Sequence, residues 1–195
     1  MSMAGWGFRH PITSTSTDTT SKPATRRAFF FRRPAFPMPL STDGFVIRSA
    51  SKEDFEGLCA LYAQLISHDI PASDDLRRET FDQILVQPGV DVLVADIAGT
   101  LVATCMLVKV PNLTRGCAPF ALIENVVTHA DWRGRGIGKV LMQSATDAAF
   151  EAGCFKVMLL SGAANKNAHR FYKDLGFATS KTGFEMRAPG YPTRT

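Results

Sequence analysis

Residues 132–139, reading Trp-Arg-Gly-Arg-Gly-Ile-Gly-Lys, constrain this chain more than any other segment. A β-branched and apolar run, Phe120–Thr128, precedes them. A run with helical periodicity through Ile137, Val140, Leu141, Ala145, Ala148 and Ala149 follows. Gly134, Gly136 and Gly138 therefore fall on a turn from strand to helix. Glycines spaced in this way let successive backbone N–H groups point into one concavity, and the following helix adds the positive end of its dipole. Such a turn suits a pyrophosphate, with Arg133 and Arg135 adding charge; the plainer alternative is a tight turn with solvated arginines. Two commoner nucleotide motifs are excluded by counting. A G-x-G-x-x-G fingerprint from Gly134 requires glycine where Lys139 stands. A G-x-x-x-x-G-K-[ST] loop ending at Gly138 and Lys139 requires glycine where Arg133 stands and a hydroxyl where Val140 stands.

The segments around this turn predict an α/β domain on a mixed sheet. Residues 45–48 form a short strand candidate. Ser51, with Asp54 three residues on, opens a helix with apolar Phe55, Leu58, Cys59, Tyr62, Leu65 and Ile66, and Pro71 closes that stretch. Ser73 caps a second helix with Leu76, Phe81, Ile84 and Leu85 facing the core, stopped at Pro88 and Gly89. Val90–Ile97 and Thr100–Val110 read as a hairpin about Ala98 and Gly99. Residues 112–119 are a loop, Phe120–Thr128 a strand, 136–152 a helix and 155–160 a buried strand. A helix over 165–175 ends at Gly176, and short strands over 177–179 and 184–187 flank a turn at Thr182 and Gly183. The expected order is β-α-α-β-β-β-α-β-α-β-β.

Composition separates this domain, residues 44–188, from an extension over 1–43 and a short tail over 189–195. Hydrophobic residues make up 45% and charged residues 21% of the chain, an ordinary globular balance. Residues 1–40 hold Arg9, Lys22, Arg26, Arg27, Arg32 and Arg33 against Asp18 alone, a segment charge of +5; the whole chain carries +4, so the remainder carries −1. A nucleic-acid-binding domain usually carries its positive charge on the folded part, so no nucleic-acid partner is expected. The extension is rich in Ser, Thr and Pro and is expected to stay disordered. It reads as translated upstream sequence with Met38 as the start, as an organelle transit peptide, or as a basic tail touching something acidic. No apolar run approaches the ~18–20 residues a membrane helix needs, so no membrane partner is expected. The four cysteines form no C-x-x-C pair and no Cys/His cluster has zinc spacing, so reduced thiols, no metal and a cytoplasmic location are expected.

Arg133-x-x-Gly136-x-Gly138 resembles the R/Q-x-x-G-x-G/A pyrophosphate loop of the GNAT superfamily of N-acetyltransferases. Asn165-x-x-Ala168-x-x-x-Tyr172, followed by Leu175, Gly176 and Phe177, resembles that superfamily's helix near the acetyl-CoA thioester. The resemblance covers roughly residues 45–187. Ile123, Glu124, Asn125, Val126 and Val127 are locally similar to the glucosamine-6-phosphate N-acetyltransferase branch, with Asn125 where that branch usually has Asp. The resemblance implies a GNAT fold, a mixed central sheet flanked by helices, and acetyl-CoA as cosubstrate. It implies that backbone groups of Val126, Val127 and Thr128 bind the pantetheine arm. The strand after them splays away to leave a gap for the thioester. Amides of Arg133, Gly134, Arg135, Gly136, Ile137, Gly138 and Lys139 would hold the pyrophosphate.

Candidate chemistry follows from residue type. A phenol at Tyr172 is placed to donate to the departing sulfur, its alternative being a ring packed beside Phe171. Asn165 is a cofactor-arm ligand, an N-cap for its own helix, or both. Glu124 is the candidate base because a carboxylate inside an apolar strand is costly unless used or paired; an arginine partner or an anchor for the acceptor amine are its alternatives. His129 reads as a solvated loop histidine, and His68 with Asp69 as a weaker acceptor contact. Cys154 reads as a buried structural thiol. The expected activity is acetyl transfer from acetyl-CoA to a primary amine of a small molecule, such as an amino sugar or polyamine, in a ternary complex. A non-catalytic acyl-CoA sensor and a protein lysine or N-terminal acetyltransferase are the alternatives. The resemblance also implies a homodimer built on C-terminal strands.

Overall fold

Two long apolar runs, Val90–Ile97 and Thr100–Val110, dictate a sheet covered on both faces, since neither alternates with polar residues as a half-exposed strand does. The computed structural model describes residues 40–42, 44–67, 69–70 and 72–191. Its six strands are β1 (Leu40–Thr42), β2 (Phe45–Ser49), β3 (Val90–Ile97), β4 (Thr100–Val110), β5 (Phe120–Thr128) and β6 (Val157–Met158), in that spatial order. All neighbours are antiparallel except β5 and β6, which run parallel. The helices are α1 (Phe55–Leu65), α2 (Asp74–Val86), α3 (Ile137–Glu151) and α4 (Lys166–Asp174).

Alternate residues of the central strands enter two separate cores. Val92 and Val94 pack with Phe55, Leu58 and Leu61 of α1 and Phe81 and Leu85 of α2. Leu93 and Ala95 pack with Ile137, Leu141, Met142 and Ala145 of α3. Leu93, Val94, Leu107 and Leu141 have no accessible surface, and burial of a side chain of this size stabilises by roughly 1.5–3 kcal/mol. Leu76, expected on the core face of α2, stays exposed.

Two ion-pair groups tie the sheet together. Arg48 on β2 donates to Asp54 Oδ2 at 2.6 Å and Oδ1 at 2.8 Å, and to Asp96 Oδ2 at 2.7 Å. Asp54 also accepts from the Ser51 backbone N–H at 2.7 Å, so the expected capping box forms at the entry to α1, on a short 3-10 turn over Lys52–Asp54. At the far end of the sheet, buried Lys109 donates to Asp91 at 2.5 Å.

The expected order needs two corrections. A strand, β1, precedes the first expected strand and pairs with it. The expected strands over 177–179 and 184–187 do not form: past α4 the described chain is irregular. Those short segments lack a partner, because β6 spans two residues rather than the six expected, and isolated extended segments are unstable in water. Apart from Leu40–Thr42 the N-terminal extension lies outside the described residues, as do His68 and the last four residues of the tail.

Candidate active site

The site begins with a fault in β5. Thr104 pairs with Val127 and Met106 pairs with Glu124, so Asn125 and Val126 both stand opposite Cys105. This extra residue is a β-bulge, and Asn125 occupies it with φ of 52°. Asparagine is one of few residues that visit the left-handed region routinely. The bulge reverses the side-chain alternation. Ile123 lies in the α3 core, whereas Val127, four residues on, lies in the α1–α2 core. Glu124 and Val127 consequently share the α1–α2 face of the sheet. Periodicity alone does not show this; the available signal was an asparagine inside a run of β-branched residues.

Beside the bulge the sheet opens. β5 and β6 pair at Ala121 with Val157 and Leu122 with Met158, and from Ile123 onward the β6 side of β5 has no strand partner among the described residues. The backbone of Val126, Val127 and Thr128 lines this opening. One of its acceptors is already engaged: Arg133 Nε donates to the Thr128 carbonyl at 3.0 Å.

The glycine-rich turn follows directly. The His129 N–H donates to the Val102 carbonyl at 2.8 Å, and Gln64 at the end of α1 accepts from the Ala130 N–H at 2.9 Å. His129 Nδ1 accepts from Asp131 N–H at 3.3 Å, which makes this ring a cap of the short turn Ala130–Trp132. Gly134 and Gly136 take φ of 75° and 78°, and Gly136 is the N-cap of α3. Ile137 buries its side chain and anchors the helix start. At Gly138 a Cβ would lie 3.1 Å from Thr128 Oγ1, so glycine eases the close approach of α3 to β5, and 3.6 Å from Phe171 Cζ of α4, an ordinary contact. Among the described residues no acceptor meets the amides of Gly134, Arg135, Gly136, Ile137 or Gly138. The arginines differ from expectation. Arg133 is used to hold the turn on β5, and the Arg135 guanidinium lies 4.6 Å over the Trp132 ring, a cation–π contact that fixes its exposed charge. Lys139 is exposed.

Tyr172 and Glu124 come from α4 and β5. The half-buried Tyr172 ring stands edge-on to Phe171 at 5.2 Å and to Phe177 at 6.0 Å, so the packing alternative is realised. Burial, with smaller contributions from Cys105 and the Glu124 carboxylate, holds the Tyr172 phenol above its ordinary range. It is therefore a proton donor, not a base, at neutral pH. Glu124 is exposed, which corrects the expectation of a carboxylate buried in its strand; it stands just ahead of the bulge, paired with Met106, on the sheet face opposite Ile123. No arginine pairs with it among the described residues. Asn165 Oδ1 accepts from the Ala168 N–H at 3.0 Å, so Asn165 is the N-cap of α4. All four cysteines are free. Burial pushes the Cys105 thiol, beside the bulge, to about 12, leaving no thiolate there at neutral pH. Cys154 is buried, with its thiol also raised by burial, and lies by Lys109 at the other end of the sheet. Among the described residues no group of three potential metal ligands gathers, and no helix is long and apolar enough to cross a membrane.

Known proteins resemble this chain in sequence and in fold. The family profile described as Acetyltransferase (GNAT) family matches residues 55–177. A glucosamine 6-phosphate N-acetyltransferase of Trypanosoma brucei brucei is 35% identical over 79 residues, which are 40% of this chain and 52% of that protein. The match thus spans about half the length of that curated relative. The solved structure of a putative acetyltransferase from Agrobacterium tumefaciens str. C58 is 43% identical and superposes with a TM-score of 0.71 over 73% of this chain and 99% of that one. An aminoglycoside N-acetyltransferase solved in complex with CoA shares the fold at 20% identity and a TM-score of 0.64, covering 77% of this chain and 99% of that chain. With more than half of its length matched by the profile, this chain belongs to the GNAT family of acetyltransferases.

Proposed function

We propose that this protein transfers the acetyl group of acetyl-CoA to a primary amine of a small molecule, an amino sugar or a polyamine, by direct attack in a ternary complex. The observation that carries this reading is the opening between β5 and β6, with Glu124 and Tyr172 beside it and the unpaired amides of residues 134–138 at its end. The residues present fit acetyl-CoA. Unpaired amides at the start of a 15-residue helix suit a pyrophosphate, and an open strand edge suits the amide-rich pantetheine arm. The side-chain NH2 of Asn165, whose oxygen is used as a cap, remains to meet that arm.

In the proposed step the amine nitrogen bonds to the thioester carbon and the carbon–sulfur bond breaks. Glu124, directly or through water, takes the proton the amine loses, and the Tyr172 hydroxyl donates to the departing sulfur. A thiol route through the enzyme is disfavoured, because Cys105 is a neutral thiol and Cys154 is remote. The similarity to a glucosamine 6-phosphate N-acetyltransferase supports an amino-sugar acceptor.

Release of free CoA measured across a panel of amino sugars, polyamines, aminoglycosides and lysine peptides tests this reading. Turnover with a small amine is expected. Acetyl-CoA binding with no turnover on any amine would instead support an acyl-CoA sensor, and turnover confined to the peptides a protein acetyltransferase.

A further inference from the structure

The sheet face that carries Glu124 is only partly covered by α1 and α2. Residues paired across neighbouring strands share a face, so the register fixes which side chains lie together. Val94, Thr104 and Val127 form one row across β3, β4 and β5, and Val92, Met106 and Glu124 form the next. Val90, Val108, Leu122 and Met158 form a third row, which continues onto β6. The first row is buried. The four residues of the third row are half-buried, and none belongs to either core. Glu124 is the one charged residue in these rows, and no basic side chain pairs with it among the described residues. The surface is therefore an apolar strip with one unpaired carboxylate at its border. Such a strip favours a ligand whose chain gains by leaving water and whose charge is positive.

We infer that this strip is the floor on which the acceptor lies, and that the acceptor is a linear aliphatic amine, its nitrogen at Glu124 and its methylene stem along Met106, Val108, Leu122 and Met158. The inference rests on the acetyl-transfer reading above and deepens it: of the acceptors named there it selects the polyamine class over a phosphorylated amino sugar. The floor is continuous with the site. Glu124 pairs with Met106 in its second row, and the opening between β5 and β6 starts at Ile123, directly after Leu122. A sugar finds little here to bond. The one hydroxyl in the three rows, Thr104, is fully buried and donates to the Leu93 carbonyl at 2.8 Å. A sugar phosphate also needs a cation, and the rows hold none. The next row on this face brings Lys156, whose Nζ stands 5.4 Å over the Phe120 ring. Phe120 precedes Glu124 by four residues along β5, roughly 13 Å at the rise of an extended strand. That is too far for Lys156 to hold a phosphate on the same six-carbon sugar whose amine sits at Glu124.

Release of free CoA by the full chain, measured with ethylamine, butylamine, hexylamine, putrescine, spermidine and glucosamine 6-phosphate, tests the floor. Along the monoamines kcat/KM is expected to rise about two- to fourfold per added methylene, the gain from partial to full burial of a CH2 group. Putrescine and spermidine are expected to exceed glucosamine 6-phosphate at least tenfold. In Val108→Thr/Leu122→Gln the dependence on chain length is expected to flatten to less than 1.5-fold per methylene, about half or less of the wild-type step. A flat series in the wild type, or glucosamine 6-phosphate as the preferred acceptor, overturns the aliphatic acceptor and leaves acetyl transfer standing. A chain-length dependence that survives in the variant moves the stem off this floor and overturns the assignment. If no amine is turned over, the acetyl-transfer reading itself falls. Calorimetry of the same monoamines then decides the floor: affinity that rises with chain length in the wild type and not in the variant keeps it, and a flat series removes it.

Discussion

Tyr172 and Glu124 differ in what their surroundings permit. Burial raises the phenol, so it stays protonated through neutral pH and suits donation to sulfur. Tyr172→Phe keeps the ring contacts with Phe171 and Phe177 and removes only the hydroxyl. General acid catalysis contributes roughly 10²–10⁴-fold, so kcat is expected to fall by about that factor while KM for acetyl-CoA stays level. A variant within a factor of about two of wild type would mean that CoA thiolate departs unaided, which its thiol, with a pKa near that of cysteine at about 8.5, would allow. The exposed Glu124 carboxylate is expected to act on the acceptor side. With Glu124→Gln, a lower kcat together with loss of the fall in rate toward acid pH marks a base. A raised KM for the amine with that fall retained marks an anchor. Steady-state kinetics over pH separate the two.

At the scale of elements, the turn between β5 and α3 is a backbone device, and its test is a backbone substitution. Gly136 has φ of 78° with open space where a Cβ would stand, so Gly136→Val strains the backbone of the turn by about 1–2 kcal/mol and blocks approach to the amides. Calorimetry is expected to show a large loss of acetyl-CoA affinity; unchanged affinity would remove the turn from the site. This turn was legible in the sequence because glycine spacing reports backbone geometry directly. So were α3, β3 and β4, whose apolar patterns reflect burial by one helix face or by both sheet faces. The bulge was not legible, because it depends on which β4 residue faces which β5 residue, and Asn125 differs from its strand only by side-chain type. The exposure of Glu124 was not legible either, because Ile123 and Val127 on either side of it in the strand are buried. The C-terminal strands were over-read because turn residues and flanking aromatics resemble a hairpin whether or not a neighbouring strand exists to pair with it. The Arg48–Asp54–Asp96 group, which joins β2, β3 and the entry to α1, gives a pH test at this scale. Burial pushes the Asp54 carboxyl up, but hydrogen bonds from Arg48 and Ser51 outweigh it and hold the carboxyl below its ordinary value of 3.8. A depressed carboxyl contributes stability that is present above its unfolded value and lost as pH falls through the folded one. The melting temperature is therefore expected to drop more steeply below about pH 4 in wild type than in Asp54→Asn, which is already less stable at neutral pH; parallel curves would remove Asp54 as a source of acid sensitivity.

For the whole molecule, the open question is what covers the β6 end of the sheet. β6 is the last strand of the described sheet and pairs on one side only. An edge strand presents unpaired N–H and C=O groups, a template for another chain unless something blunts it. The segment past α4 supplies no regular strand and leaves Phe184 92% and Met186 98% exposed, with Leu160 beside β6 exposed at 62%. Gly183 nonetheless runs close to Leu160, since a Cβ there would lie 2.8 Å from Leu160 Cδ2, so these apolar side chains belong to one neighbourhood. We propose that a second copy covers this edge. A closed two-fold contact uses the same patch on both subunits, which lets Phe184 and Met186 of each chain shield the other's edge without opening a route to filaments. Light scattering at micromolar concentration is expected to give a dimer for the wild type, and Phe184→Ser/Met186→Ser, which touches nothing in either buried core, is expected to give a monomer with the melting temperature of its core retained. A wild-type monomer, or a dimer indifferent to the double substitution, would place the subunit contact elsewhere or nowhere.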